Sequence, residues 1–180
     1  MKLTETTKTQ NKLYDGKIIK LFCDEIYLPN GEEAKREFVT HTGGVTILPI
    51  DDDNNVYFVR QFRYPYKAEL LELPAGKKEA GEDPCECGMR ELSEEIGATA
   101  KIFTPLAQMY PSPGYTNEVI HIYLAKGLSF SDLHLDEDEF LNVEKYPLET
   151  AIEMVMNGEI KDGKTIIGIL KYACKAKLCN

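Results

Sequence analysis

The stretch GKKEAGEDPCECGMRELSEEIGA, from Gly76 to Ala98, carries both ends of a helix and the side chains that the helix presents. Pro84 suits a first helical turn, where its missing N–H would have no partner anyway, and Gly97 suits a left-handed stop at the far end. A helix is therefore predicted from about Pro84 to Ile96. At about 3.6 residues per turn, Glu91, Glu94 and Glu95 share one face, with Arg90 beside them. Like charges so placed repel, at a cost on the order of a few tenths of a kcal/mol per pair, so the face implies either a compensating cation or an ordinary solvated surface. Met89, Leu92 and Ile96 form an apolar stripe, so the helix packs through one side and offers its carboxylates on another. A cluster of oxygen ligands suits Mg2+ or Mn2+ rather than zinc.

The same stretch matches G-x5-E-x7-R-E-U-x-E-E-x-G-U, where U is a bulky apolar residue, through Gly76, Glu82, Arg90, Glu91, Leu92, Glu94, Glu95 and Gly97. In this it resembles the Nudix box of the Nudix hydrolases. Ala98 is a small occupant of the last U position, which touches packing and not chemistry. The resemblance implies an enzyme that hydrolyses a nucleoside diphosphate linked to another moiety. It also implies an α/β fold, a three-layer α/β/α sandwich with a mixed sheet.

The remaining chain is compatible with that chemistry. With 180 residues, 43% of them hydrophobic and 28% charged, it has the length and composition of one globular domain with a sizeable core. Thirty acidic against 21 basic residues leave a net charge of −9, which disfavours non-specific binding to nucleic acid or to an anionic membrane surface. The opening MKLTETTKTQNKLYDG is polar, and no run approaches the ~20 apolar residues of a membrane helix, so a cytoplasmic protein is expected. Cys23, Cys85, Cys87, Cys174 and Cys179 form an odd set without paired CxxC spacing and read as reduced thiols. Cys85 and Cys87 lie near a helix N-terminus, which can lower a thiol pKa, but they read as incidental. His41, His121 and His134 are scattered and suggest no zinc set.

Strand formers fill Gly16 to Leu28 and Ala34 to His41 around the turn Pro29-Asn30-Gly31, so an N-terminal antiparallel β-hairpin unit is expected. Gly43 to Ile50 and Val56 to Arg63 read as a second pair around Asp51 to Asn55. Ala68 to Leu73, Lys101 to Tyr110, Glu118 to Ala125 and Phe140 to Tyr146 are further strands. Helices are predicted over Pro147 to Met156, with Ile152, Val155 and Met156 buried, and over Gly163 to Lys177, with Ile166, Ile167, Ile169, Leu170 and Tyr172 in the core. The expected division is a hairpin segment over residues 1–42 and a Nudix domain over 43–180.

Several segments outside the box are similar to the ADP-ribose pyrophosphatase branch of the family. They are Val59-Arg60-Gln61-Phe62-Arg63, Glu72-Leu73-Pro74-Ala75-Gly76-Lys77, the loop Tyr110-Pro111-Ser112-Pro113-Gly114 followed by Glu118, and the acidic run Leu135 to Phe140. Taken singly, Pro113-Gly114 reads as a turn, Asp136 to Glu139 as a solvated loop and Arg63 as one half of a surface ion pair; their joint occurrence around an intact box favours function. The resemblance implies hydrolysis of ADP-ribose to AMP and ribose 5-phosphate. It implies Glu91, Glu95 and the Ala75 carbonyl, with Glu94 beside them, as ligands for Mg2+ or Mn2+, two or more ions per site. It further implies Arg90 as an orienting residue bonded to Glu82, Arg63 on the pyrophosphate, Pro113 and Gly114 in the substrate loop, and Glu118 on the terminal ribose. Glu137 is preferred as the general base, with Glu139 next. A homodimer is expected, with Arg36 reaching a nucleotide bound on the partner. The competing readings are hydrolysis of another nucleotide sugar such as GDP-mannose, or of a dinucleotide, and a catalytically silent nucleotide-binding Nudix module.

Overall fold

A computed structural model describes residues 2–132 and 140–178. The chain forms two compact units, one of Met1–Gly43 with Tyr110–Glu118, the other of Gly44–Met109 with Val119–Asn180.

In the first unit, β3 (Lys20–Tyr27) and β4 (Glu33–Thr40) form the hairpin read from the sequence, with Gly31 supplying the positive φ of the turn. Two short strands that the polar N-terminal composition did not signal, β1 (Thr6–Thr9) and β2 (Lys12–Asp15), both pair with β3. Their junction is closed by Asp24, which is buried and accepts a hydrogen bond from the Asn11 amide at 3.0 Å, while the Cys23 amide donates to the Asn11 carbonyl at 2.8 Å. Both short strands are exposed along their whole length, so they carry no hydrophobic period to read.

The second unit is a mixed sheet between helices. Its strands are β5 (Gly44–Ile50), β6 (Asn55–Arg63), β7 (Ala68–Glu72), β8 (Ala75–Lys77), β9 (Ala98–Met109), β10 (Ile120–Phe130) and β11 (Leu141–Pro147). The order is β11-β6-β5-β10-β9, with β7 also on β6 and β8 on β5; β10 runs parallel to β5, and the other pairs are antiparallel. Every residue of β5 is buried, as a central strand covered on both faces requires. Alternation then divides the core: Val45 and Ile47 pack with Leu92 and Ile96 of α1 (Pro84–Ile96), whereas Leu48 and Ile50 pack with Leu148 and Val155 of α2 (Leu148–Met156) and Ile169 of α3 (Gly163–Leu178).

Three details differ from the sequence expectation. The pair Gly43 to Ile50 and Val56 to Arg63 is registered only at Ile50 and Val56, because the two strands splay and β7 and β8 fill the opening between them. Met89 is exposed on α1, where buried Cys87 and Gly88 take its place beside Leu92 and Ile96; Gly88 is needed because a Cβ there would lie 2.8 Å from the Phe103 ring. Met156 is likewise exposed at the end of α2, whose buried positions are Leu148, Ala151 and Val155.

Candidate active site

Helix α1 begins where the Asp83 carboxylate caps the amides of Cys85 and Glu86, at 2.8 and 3.3 Å, with Pro84 in the first turn. It stops at Gly97, whose φ of 64° is left-handed and whose missing side chain leaves room for the Ser131 carbonyl; a Cβ would approach that oxygen to 2.6 Å. Strand β8 lies beside the helix, and two box carboxylates seat on it. A Cβ on Gly76 would fall 1.8 Å from Cδ of Glu91 and 1.9 Å from its Oε1, so this glycine is the floor on which the Glu91 carboxylate rests. Glu95 accepts a hydrogen bond from the Ala75 amide at 2.8 Å. Both carboxylates are nearly buried, at 6% and 3% exposure, whereas Glu94 is half-buried, so the three glutamates are not equivalent members of one wet face.

Arg90 gathers the others. Its guanidinium donates to Glu82 Oε1 at 3.1 Å and to Glu94 Oε2 at 2.7 Å, and lies 2.8 Å from Glu91 Oε1. The Glu79 amide holds the second oxygen of Glu82 at 2.8 Å. Burial alone would lower the Arg90 pKa, but its bonds to Glu82 and Glu94 and the charge of Glu91 outweigh burial and raise it. The hydrogen bonds from Arg90 and from the Glu79 amide hold the Glu82 carboxyl below its ordinary value. Cys87 is buried beneath Arg90, and burial, with Glu82 and Glu91 adding, pushes its thiol up to about 12. Such a shift disfavours the thiolate at neutral pH.

Arg63, at the end of β6, makes a side-on pair with Glu72 through Nε and Nη2, both at 2.7 Å. Glu72 is buried and takes a second cation, Lys164 of α3. Burial pushes the Glu72 carboxyl up, but the Arg63 hydrogen bonds and the Lys164 charge prevail and hold it below the usual range. From the sequence, Glu72 entered only as part of the segment Glu72 to Lys77, with no role of its own, and Lys164 was not singled out. The available signal was one carboxylate inside the apolar run Leu70-Leu71-Glu72-Leu73, which a strand facing a core on both sides cannot hold without a partner.

In the other unit, Ser112 to Glu118 is pinned to the end of β4. The amides of Tyr115 and Thr116 donate to the Ser112 carbonyl, Val39 donates to the Tyr115 carbonyl at 2.8 Å, and His41 N–H reaches Asn117 Oδ1 at 2.9 Å. Glu118 Oε1 lies 3.3 Å from Nδ1 of His41, which also accepts from the Gly43 amide at 3.0 Å. Pro113 and Gly114 are exposed. Arg36 is exposed and paired with Glu5, its Nε 3.0 Å from Glu5 Oε2. Glu137 and Glu139 lie outside the described residues.

Among the described residues, no three His, Cys, Asp or Glu side chains converge as a closed metal cage. A cation at this place would take main-chain oxygen and water in addition to carboxylates. Two nearly buried carboxylates against the main chain of residues 75 and 76 are an all-oxygen donor set, which fits a hard divalent ion.

Residues 40–166 match the NUDIX domain. The ADP-ribose pyrophosphatase of Bacillus subtilis (strain 168) is 41% identical over 97% of this chain and 98% of its own length. The methanol dehydrogenase activator of Bacillus methanolicus is 40% identical over 92% of this chain and 90% of its own. A crystal structure of an ADP compounds hydrolase superposes with a TM-score of 0.87 at 21% identity, over 100% of this chain and 98% of that one, and shares its fold. The chain belongs to the Nudix family. It is a Nudix hydrolase, and its chemistry is the hydrolysis of nucleoside diphosphate compounds.

Proposed function

We propose that this hydrolase cleaves ADP-ribose to AMP and ribose 5-phosphate with Mg2+. The observation that carries the reading is the seating of Glu91 on bare Gly76 and of Glu95 on the Ala75 amide, which brings two carboxylates to one stretch of main chain. Similarity to the B. subtilis ADP-ribose pyrophosphatase along almost the whole chain supports the substrate. Two or more Mg2+ ions, or Mn2+, held by Glu91, Glu95 and the Ala75 carbonyl with Glu94 nearby, would neutralise the diphosphate and activate water.

The chain's own groups do the rest. Arg90 keeps the glutamates in place through its fork of ion pairs. Arg63 contacts the diphosphate, Pro113 and Gly114 shape the substrate loop, and Glu118 accepts hydrogen bonds from the terminal ribose. Glu137, or else Glu139, removes the proton from the attacking water as its oxygen bonds to phosphorus and the P–O–P bridge breaks. Residues 1–42 form a segment that packs on a second copy, where Arg36 reaches the adenosine diphosphate, and 43–180 form the hydrolase domain. Free Cys23, Cys85, Cys87 and Cys174 suit a reducing cytoplasm.

The deciding experiment is a panel of ADP-ribose, GDP-mannose and a dinucleotide, each with Mg2+, monitored for nucleotide release. AMP release from ADP-ribose, abolished by EDTA, is expected. Turnover of another compound but not ADP-ribose overturns the substrate while leaving the chemistry, and binding without any turnover indicates the silent module. Sedimentation at micromolar concentration is expected to show a dimer; a monomer removes the inter-subunit role of Arg36.

A further inference from the structure

Glu72 is met by two cations, Arg63 and Lys164. Its side chain is 2% exposed, Lys164 meets Oε2 at 12% exposure, and Asp162 lies 2.9 Å from the same ammonium. The N-terminus of α3 is fixed to the end of β7 by a second link, the Leu73 amide donating to Thr165 Oγ1 at 2.8 Å, while Asp162 caps Thr165 at 3.0 Å. Lys164 is thus shared between Glu72 and Asp162. Arg63 differs: its side chain is 38% exposed, and the side-on pair through Nε and Nη2 leaves Nη1 outside that pair. A partner recruited only to stabilise a buried carboxylate has no need to remain at the surface, and buried ion pairs are in any case weak sources of stability. Holding a flexible arginine in one plane is instead what recognition of a doubly anionic group requires, because the ordering cost is met before the ligand arrives. The charges of Asp162 and, more weakly, of Glu95 also act on Arg63.

We propose that Glu72, anchored by Lys164, is a positioning residue that holds the Arg63 guanidinium ready for the substrate's diphosphate. This rests on the reading above that Arg63 contacts that group. Glu72 and Lys164 touch no reacting atom; they act through Arg63.

The test is a double-mutant cycle, read on whichever of ADP-ribose or GDP-mannose the wild type cleaves with Mg2+. Arg63→Ala and Glu72→Gln are each expected to raise KM about tenfold or more, with kcat changed less than about threefold for Glu72→Gln. The double variant is expected to match Arg63→Ala alone, since a residue acting through Arg63 has nothing left to position. Multiplicative effects of the two substitutions on KM, or an unchanged KM in either single variant, overturn the proposal. If Glu72→Gln does not fold, Lys164→Met and Lys164→Arg decide: a raised KM in the first that the second restores supports positioning, and equal KM values overturn it. Wild-type protein that cleaves neither compound is a failure of the functional reading, and coupling of Arg63 and Glu72 is then read from binding of ADP-ribose with Ca2+, where the same cycle applies.

Discussion

Glu95→Gln is expected to lower kcat about a thousandfold while leaving the fold intact. The amide oxygen of glutamine can still accept the hydrogen bond that the Ala75 amide now gives Glu95 at 2.8 Å, so the seat on β8 survives. What disappears is the negative charge beside Glu91, which a divalent cation needs and a neutral amide supplies poorly. The measurement is kcat on ADP-ribose with Mg2+ alongside Tm, with Tm expected to move by no more than a few degrees. Near-normal turnover would remove Glu95 from the metal site. Glu137→Gln is expected to give a comparable loss of kcat, because a glutamine cannot take a proton from water; if Glu139→Gln gives that loss instead, the base is Glu139.

Gly76→Ala is the second large effect. The added methyl would stand 1.8 Å from Cδ, 1.9 Å from Oε1 and 2.2 Å from Oε2 of Glu91, where non-bonded carbons settle at about 3.5–4.0 Å. Either the carboxylate leaves β8 or the strand shifts, and Gly76 is paired with Val45 of the fully buried β5, so the strand has little room to move. A displacement of about 1 Å at reacting groups costs on the order of a hundredfold in rate, and overpacking of this kind costs about 1–3 kcal/mol of stability. Both kcat and Tm are therefore expected to fall, the Tm by roughly 3–10 °C. An alanine variant with wild-type kcat would mean that the contact with Gly76 does not set the position of Glu91.

These two substitutions also separate what could be read along the chain from what could not. The extent of α1 was legible because its ends are local chemistry: Pro84 and Gly97 act on their own backbone, whatever surrounds them. The β3–β4 hairpin was legible for the same reason, through Gly31. By contrast, the partners of β5 were not, since Ile50 and Val56 are neighbours across a short turn yet the strands part immediately and β5 takes β8 and β10 instead. Strand pairing is a choice among surfaces, and a strand buried on every residue offers no polar alternation to reveal which surface it meets. Met89 and Met156 were misplaced because an apolar residue at helical spacing predicts a face but not where the buried arc ends.

At the site the division is similar. The sequence alone determined which residue types surround the helix, because the order of Gly76, Glu82, Arg90, Glu91, Glu94 and Glu95 is a local property; by its charge repulsion the face implied either a cation or a solvated surface, and it was the match to the Nudix box that pointed to nucleoside diphosphate hydrolysis. Only the tertiary structure decided that these glutamates are unequal, with Glu91 on Gly76, Glu95 on the Ala75 amide and Glu94 on Arg90. It also decided that Arg63, which by its sequence was either a surface ion pair or a substrate contact, is held by a buried glutamate whose second cation arrives from α3. The physical reason is separation along the chain: Glu72 and Lys164 stand 92 residues apart, and only folding makes a carboxylate in an apolar strand and a lysine on a late helix into one electrostatic unit.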